Sequence, residues 1–221
     1  RTIVVDAGSD GTVRGFISPS HLSGTLTEDE LFGDQATLQV VRSDAKKVLS
    51  SGTVESILQD VVSDFAYYCA MSEQVETGVA AWIGFSPDPK TPVSVCRGLL
   101  LQAMPDTDEV LLDRVRTRLG NEAVRKLLAS PHEEEGLVKS VLALLVEPEG
   151  LTAQILLQPA RAPSFACTCS REKMTPILRA VPREDRADIL TQKEAVAIRC
   201  QFCNERYVIP VEECCAVWGT E

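Results

Sequence analysis

The 221-residue chain lacks a basic excess: Lys plus Arg number 22 against 32 Asp plus Glu, a formal net charge of −10. Nucleic acid and anionic membrane surfaces both call for a basic face, so neither is an expected partner. Nor is there any run near the roughly 18 consecutive apolar residues of a membrane-spanning helix. Histidine is almost absent: His21 sits in a Ser/Gly-rich stretch, and His132 precedes Glu133. A zinc-protease helix would need a second histidine at position 136, which is Gly136. No G-x-S-x-G nucleophile elbow and no phosphate-binding glycine loop occurs. Without a catalytic constellation, the chain is not expected to be an enzyme. Its opening residues, Arg1-Thr2-Ile3-Val4-Val5, are already strand-like, with no charged-then-apolar signal segment. The chain is therefore expected to be missing its natural start.

What is present is globular in balance. Hydrophobic residues make up 44% and charged residues 24%, which excludes a disordered or fibrous chain. The length suits one core plus a smaller appendage. Charge divides the chain unevenly: residues 1–105 carry 7 basic and 13 acidic side chains, 106–160 carry 6 and 10, and 161–221 carry 9 and 9. The tail is neutral where the body is acidic. Cysteine follows the same division. Cys69 and Cys96 are scattered through the body, whereas Cys167, Cys169, Cys200, Cys203, Cys214 and Cys215 crowd the tail. Eight cysteines in all are too few for a disulfide-stapled miniprotein.

Periodicity outlines the elements. Val13 to Ile17 reads as a short strand after the turn-forming Gly8-Ser9-Asp10-Gly11, and Ala36 to Val41 alternates as a half-buried strand. Val54, Ile57, Leu58, Val61, Val62 and Phe65 fall at helical spacing, predicting an amphipathic helix capped by Thr53 and ending near Met71. Val79 to Phe85 and Val93 to Met104 read as strands around the Pro87-Asp88-Pro89 turn. Beyond Asp106 the pattern is helical. Leu111, Val115 and Leu119 mark one helix ended by Gly120; Val124, Leu127 and Leu128 mark a second, stopped at Ser130-Pro131. A third runs from about Glu133 to Val146, with Glu133, Glu134 and Glu135 in its dipole-favoured first turn. It is apolar on most of its circumference, so it needs cover on several sides. Strands flanking a helix without regular βαβ alternation argue for an α+β fold.

The strongest chemical signal is Cys167-Thr168-Cys169 followed, after thirty intervening residues, by Cys200-Gln201-Phe202-Cys203. Two close pairs joined by a loop suit a tetrahedral four-thiolate zinc site. Ala195 to Arg199 and Tyr207 to Ile209 look like strands that put the second pair on a turn. A redox-active dithiol is the rival reading, but it needs the C-x-x-C to open a helix, and Asn204 to Ile209 returns to strand. Unrelated structural thiols are the third reading, and a zinc staple on a tail too small to fold unaided is the plain one. Four thiolates and one Zn²⁺ carry about −2, tolerable beside Arg171, Lys173, Arg199 and Arg206. Cys69 and Cys96 are expected to be ordinary core thiols, and Cys214-Cys215 to be structural or incidental.

These residues resemble the thirty-three-kilodalton heat-shock protein family of redox-regulated holdase chaperones. Met71-Ser72-Glu73-Gln74 is similar to that family's helix-ending motif, and Gly98-Leu99-Leu100-Leu101-Gln102-Ala103-Met104-Pro105 to the strand leaving its core domain. His132-Glu133-Glu134-Glu135 resembles its linker motif. Cys167-Thr168-Cys169-Ser170-Arg171-Glu172 and Cys200-Gln201-Phe202-Cys203 resemble its redox switch. The order of all five is the family's. The chain departs from it in a more apolar Gly136 to Ala166, in Cys214-Cys215, and in starting after the family's first segment of strands and helices.

The resemblance implies an α+β core at 1–105, a helical linker at 106–160 and a zinc-binding redox-switch domain at 161–221. Reduced protein would hold Zn²⁺ through Cys167, Cys169, Cys200 and Cys203. Oxidation would pair Cys167 with Cys169 and Cys200 with Cys203, expel the metal, unfold the tail and release the linker. Unfolding client proteins would then bind without ATP, with homodimer formation on oxidation. Leu137, Val138, Val141, Leu142 and Leu145 of the third helix are the expected client-binding residues, against the alternative that they simply pack a core. A cytoplasmic location is expected, an organelle matrix being equally reducing. The competing function is a constitutive zinc-stapled adaptor whose acidic body holds a fixed protein partner; a thiol–disulfide oxidoreductase is a third.

Overall fold

A computed structural model describes residues 1–19, 32, 33, 35–44, 46–130, 134–152 and 162–219. His21, His132 and Glu133 fall outside the described residues. The chain divides into two compact units that do not follow chain order: one joins residues 1–24 to 158–221, the other spans 25–157.

The first unit begins with a hairpin. Strands β1 (Thr2–Ala7) and β2 (Thr12–Ser18) pair antiparallel, with Ile3 opposite Ile17 and Val5 opposite Gly15. Gly8 N–H donates to Thr12 O and Gly11 N–H to Gly8 O, and Gly11 supplies the positive φ of 89° that the turn needs.

In the second unit, β3 (Thr37–Ser43) and β4 (Val48–Glu55) form one antiparallel pair, and β5 (Thr77–Phe85) and β6 (Val93–Gln102) another. Helix α1 (Val61–Ser72) lies between them in sequence. Its start differs from the sequence expectation. Val54 is in β4, opposite Leu38, and the N-cap is Asp60, whose carboxylate accepts from Ser63 N–H at 2.8 Å. Two features stop the helix from extending back to Thr53. Gln59 has φ +51°, and the carboxylate of buried Asp64 accepts from Leu58 N–H at 3.1 Å and from Ser56 Oγ, winding residues 56–60 into a loop. Ile57 and Leu58 are exposed as a result.

Helices α2 (Glu109–Leu119), α3 (Glu122–Ala129) and α4 (Glu134–Val146) follow the expected spacing. Asp108 caps α2, accepting from Val110 and Leu111 N–H. Val115, Leu119, Val124, Leu128, Leu137, Val141 and Leu145 form the core of this unit, packed against Ala80, Trp82, Leu99 and Leu101 of the β5–β6 sheet. The opposite face of β6 carries Cys96, which is exposed and not the core thiol expected, because strand alternation gives the helices the Leu99 and Leu101 face. Cys69 is buried as expected. A 3-10 turn at Glu147–Glu149 places Glu149 against Arg114 (2.8 Å) and Arg118, and Arg118 also donates to Leu145 O at the end of α4. The mixture of strands and helices is the expected α+β.

Back in the first unit, β7 (Ser164–Phe165) adds to β2 in parallel, giving the order β1-β2-β7. Then come α5 (Arg171–Met174), a 3-10 turn at Thr175–Ala180, α6 (Arg183–Gln192), the antiparallel pair β8 (Val196–Arg199) and β9 (Arg206–Ile209), and α7 (Val211–Trp218). Leu178, Ile209 and Cys214 are the core of this segment, with Trp218 Nε1–H donating to Leu178 O at 2.7 Å. Cys214 is buried in this core, while Cys215 beside it is half-buried.

Replacing Leu128, fully buried among the helices, with alanine should cost about 2–5 kcal/mol. Removing the cap with Asp60→Ala should cost about 1 kcal/mol. Urea unfolding followed by circular dichroism measures both, and an unchanged midpoint for Asp60→Ala would contradict the helix start described.

Candidate metal centre

The two cysteine pairs reach one point by different backbone devices. Cys167 and Cys169 follow β7, and the segment turns into α5 at Ser170, whose hydroxyl accepts from Lys173 N–H at 3.4 Å. Cys200 and Cys203 lie on the tight turn between β8 and β9. There Cys200 N–H donates to Glu205 O and Asn204 N–H to Cys200 O, both at 2.9 Å, with Asn204 at φ +61°. A short polar side chain tolerates that left-handed conformation better than most.

All four sulfurs lie within 4.8 Å of one another. Two contacts run between the pairs: Cys167 to Cys200 at 3.7 Å and Cys169 to Cys203 at 3.3 Å. Four sulfurs at about 2.3 Å around a tetrahedral ion would sit about 3.8 Å apart, so the donor set fits a metal of zinc's size and preference. Cys200 is buried and the other three are half-buried. The arrangement belongs to a turn between strands, with no helix opened by the C-x-x-C, as the reading of Asn204 to Ile209 required.

The electrostatics show why the site calls for a cation. Cys167 is drawn down to about 6, chiefly by the hydrogen bond from Cys169 N–H, with further help from the thiols of Cys169, Cys203 and Cys200. Cys203 moves the other way, to about 12: a hydrogen bond from Glu205 N–H lowers it, but the neighbouring sulfurs and burial outweigh that. One thiol therefore ionises easily and another resists, as expected when like charges share one small volume. Tyr207 donates its hydroxyl to Cys169 Sγ at 3.1 Å, and that hydrogen bond raises its own pKa.

Several neighbours of the cluster were not anticipated. Arg14 of β2 donates to Thr168 Oγ1 at 3.2 Å and points the same nitrogen at Cys167 Sγ, 3.9 Å away. Phe202 stacks beneath that guanidinium and packs edge-on against Phe16. Of the expected cations, Arg171 is engaged with Glu213 and Val208 O, and Lys173 donates to Thr168 O, between the two cysteines of the first pair. The one trace of Arg14 in the sequence is its place beside Phe16 on the same face of a short strand. Of the expected client-binding residues, Leu137, Val141 and Leu145 are buried in the core of the second unit, and Val138 and Leu142 are half-buried.

Fold and site together define an α+β protein with a four-cysteine cluster suited to a metal ion. The family model described as Hsp33 protein matches residues 1–210, and the chain belongs to that family of heat-shock chaperones. It is 29% identical over 218 residues to the 33 kDa chaperonin of Bacillus licheniformis, covering 96% of this chain and 72% of the relative. With the 33 kDa chaperonin of Clostridium botulinum it shares 30% over 211 residues, 93% of this chain and 68% of that one. The crystal structure of the 33 kDa chaperonin from Thermotoga maritima superposes with a TM-score of 0.76 at 19% identity, over 98% of this chain and 76% of that one, a likeness of fold.

A four-thiolate metal must displace every thiol proton, Cys203's included. Loading the reduced, metal-free protein with Zn²⁺ at pH 7 should release at least one proton per ion, with affinity falling as pH drops towards 6. Calorimetry in two buffers of different ionisation enthalpy counts those protons; none released would exclude Cys203 from the donor set.

Proposed function

We propose that this protein is a redox-regulated, ATP-independent holdase chaperone. The observation that carries the reading is the convergence of four thiols from two separate segments within 4.8 Å. In reduced protein, Cys167, Cys169, Cys200 and Cys203 hold Zn²⁺. The metal supplies folding free energy, on the order of 10–16 kcal/mol in small zinc peptides, to a tail whose own buried core is small.

Oxidation converts the four thiolates, with four protons and two molecules of peroxide, into two disulfides and four molecules of water, and leaves no donors for the metal. Which sulfurs pair decides the outcome. Bonds between Cys167 and Cys200 or between Cys169 and Cys203 would close a long loop and staple the two segments together. Pairing Cys167 with Cys169 and Cys200 with Cys203 leaves the segments untied, so the tail unfolds. The C-x-C ring is small and strained, which keeps its disulfide easy to reduce and the switch reversible.

In this reading, residues 106–160 are the linker between a 1–105 core and the 161–221 switch. Helices α2 and α3 are short, and isolated helices of their length are marginal in water. When the linker loosens, Leu137, Val138, Val141, Leu142 and Leu145 change from core to exposed apolar surface and bind unfolding clients. Oxidised protein associates as a homodimer. The net charge of −10 turns nucleic acid away. Free thiols suit a reducing cytoplasm.

The deciding experiment is light scattering from a heat-unfolding client with reduced and peroxide-treated protein side by side. Protection by the oxidised sample alone is expected. Equal protection by both would favour the zinc-stapled adaptor, whose metal stays in place under oxidant. Cys203→Ser should lose zinc and protect without oxidant, whereas Cys69→Ser should behave as the parent. Hydrogen exchange should show residues 162–219 and part of 106–146 opening after oxidation, with Val61 to Ser72 still protected.

A further inference from the structure

The contacts of Arg14 reach both halves of the cysteine cluster from outside it. Its Nε and Nη2 are held by Asp6 Oδ2 at 2.8 and 2.7 Å across the β1–β2 hairpin. Its Nη1 donates to Thr168 Oγ1, between Cys167 and Cys169, and lies 3.9 Å from Cys167 Sγ. Its Cζ sits 4.3 Å from the ring centroid of Phe202, between Cys200 and Cys203. Phe202 is fixed in turn by Phe16 at 5.1 Å, two residues along β2 from Arg14. Among the described residues, Arg14 is the one whose charged group is recorded against a cysteine sulfur, and its side chain is 24% exposed.

Two physical consequences follow. A planar guanidinium that hydrogen-bonds one pair and stacks on the other sets their spacing, which an ammonium could not do in the same way. A fixed positive charge beside a site carrying about −2 also withdraws electron density from the thiolates. It makes them poorer nucleophiles towards neutral electrophiles and draws anionic ones in.

We propose that Arg14 is the positioning and charge-balancing residue of the cysteine site, setting how readily its thiolates react and hence how easily the metal is lost. This rests on the metal-site reading above and adds to it a regulator from the far end of the chain.

The test uses the full, reduced, zinc-loaded chain and two aromatic disulfides, dianionic 5,5′-dithiobis(2-nitrobenzoate) and neutral 4,4′-dithiodipyridine. In each case a cysteine thiolate attacks a reagent sulfur, forms a mixed disulfide and expels one aryl thiolate. Zinc appearing in solution, followed with a chelating dye, reports the cluster and ignores the other cysteines. The readout is the ratio of the anionic to the neutral rate. A merely structural role would speed both reagents alike and leave the ratio unchanged.

Arg14→Gln should release zinc faster with the neutral reagent and lower the ratio about fivefold. Arg14→Lys should keep the ratio within about twofold of the parent, and Arg171→Gln, which breaks the pair with Glu213, should leave it alone. Asp6→Asn removes the carboxylate that offsets Arg14, so its ratio should rise; this variant decides the matter if Arg14→Gln does not fold. An unchanged ratio in Arg14→Gln, an equal drop in Arg171→Gln, or a ratio that fails to rise in Asp6→Asn would each overturn the role of Arg14. Reduced parent protein that binds no zinc would instead overturn the metal site itself.

Discussion

Four sulfurs within 4.8 Å cannot all carry charge unless something positive stands among them. Much else in the first unit follows from that repulsion. It helps hold Cys203 protonated, while a hydrogen bond from Cys169 N–H lets Cys167 ionise easily. It turns hydrogen-bond donors towards the sulfurs, Tyr207 to Cys169 and Arg14 to Cys167. The core beside them, Leu178, Ile209 and Cys214, offers little burial.

The second unit follows a different logic. Its core is ordinary aliphatic packing between helices α2, α3 and α4 and one face of β5–β6. Helix α4 is the component that could change partners without loss of the strands. It has apolar residues beyond the face it buries, Leu144 among them. Its C-terminal end is held by polar contacts from Arg114 and Arg118 to Glu149 and Leu145 O. Polar clasps at a helix end open more easily than aliphatic cores do.

Residue patterns revealed the parts of the fold in which a single period governs. Leu111, Val115 and Leu119, or Val93 to Gln102, have one face to bury, and the structure buries it. Helix α1 starts later than the helical spacing of Val54, Ile57 and Leu58 predicts. What overrides them is local and polar: the carboxylate of Asp64 and the left-handed backbone at Gln59. Strand β4 was hidden because Val48-Leu49-Ser50-Ser51-Gly52 barely alternates. Gly52 is there for space, since a Cβ would come 3.0 Å from the Tyr68 ring. The cysteine cluster was legible because ligand spacing is a short-range signal. Arg14 was not, because its contact with Cys167 spans 153 positions and no periodicity reaches that far.

That span affects biosynthesis. Strand β2 pairs with β7 through Val13 and Phe165, so the first hairpin leaves the ribosome well before the strand that completes its sheet. At about 5–20 residues per second, the edge of β2 stays open for roughly eight to thirty seconds while the second unit is made and folds. During that interval the nascent chain presents an unpaired edge beside exposed Ile3, Val5 and Ile17, a template for pairing with a neighbouring chain on the same polysome. The charged pair Asp6–Arg14 lies on that hairpin from the outset, and inward or edge charges are among the devices that keep such strands from joining. A residue that later steadies the cysteines would thus first help its own hairpin stay single.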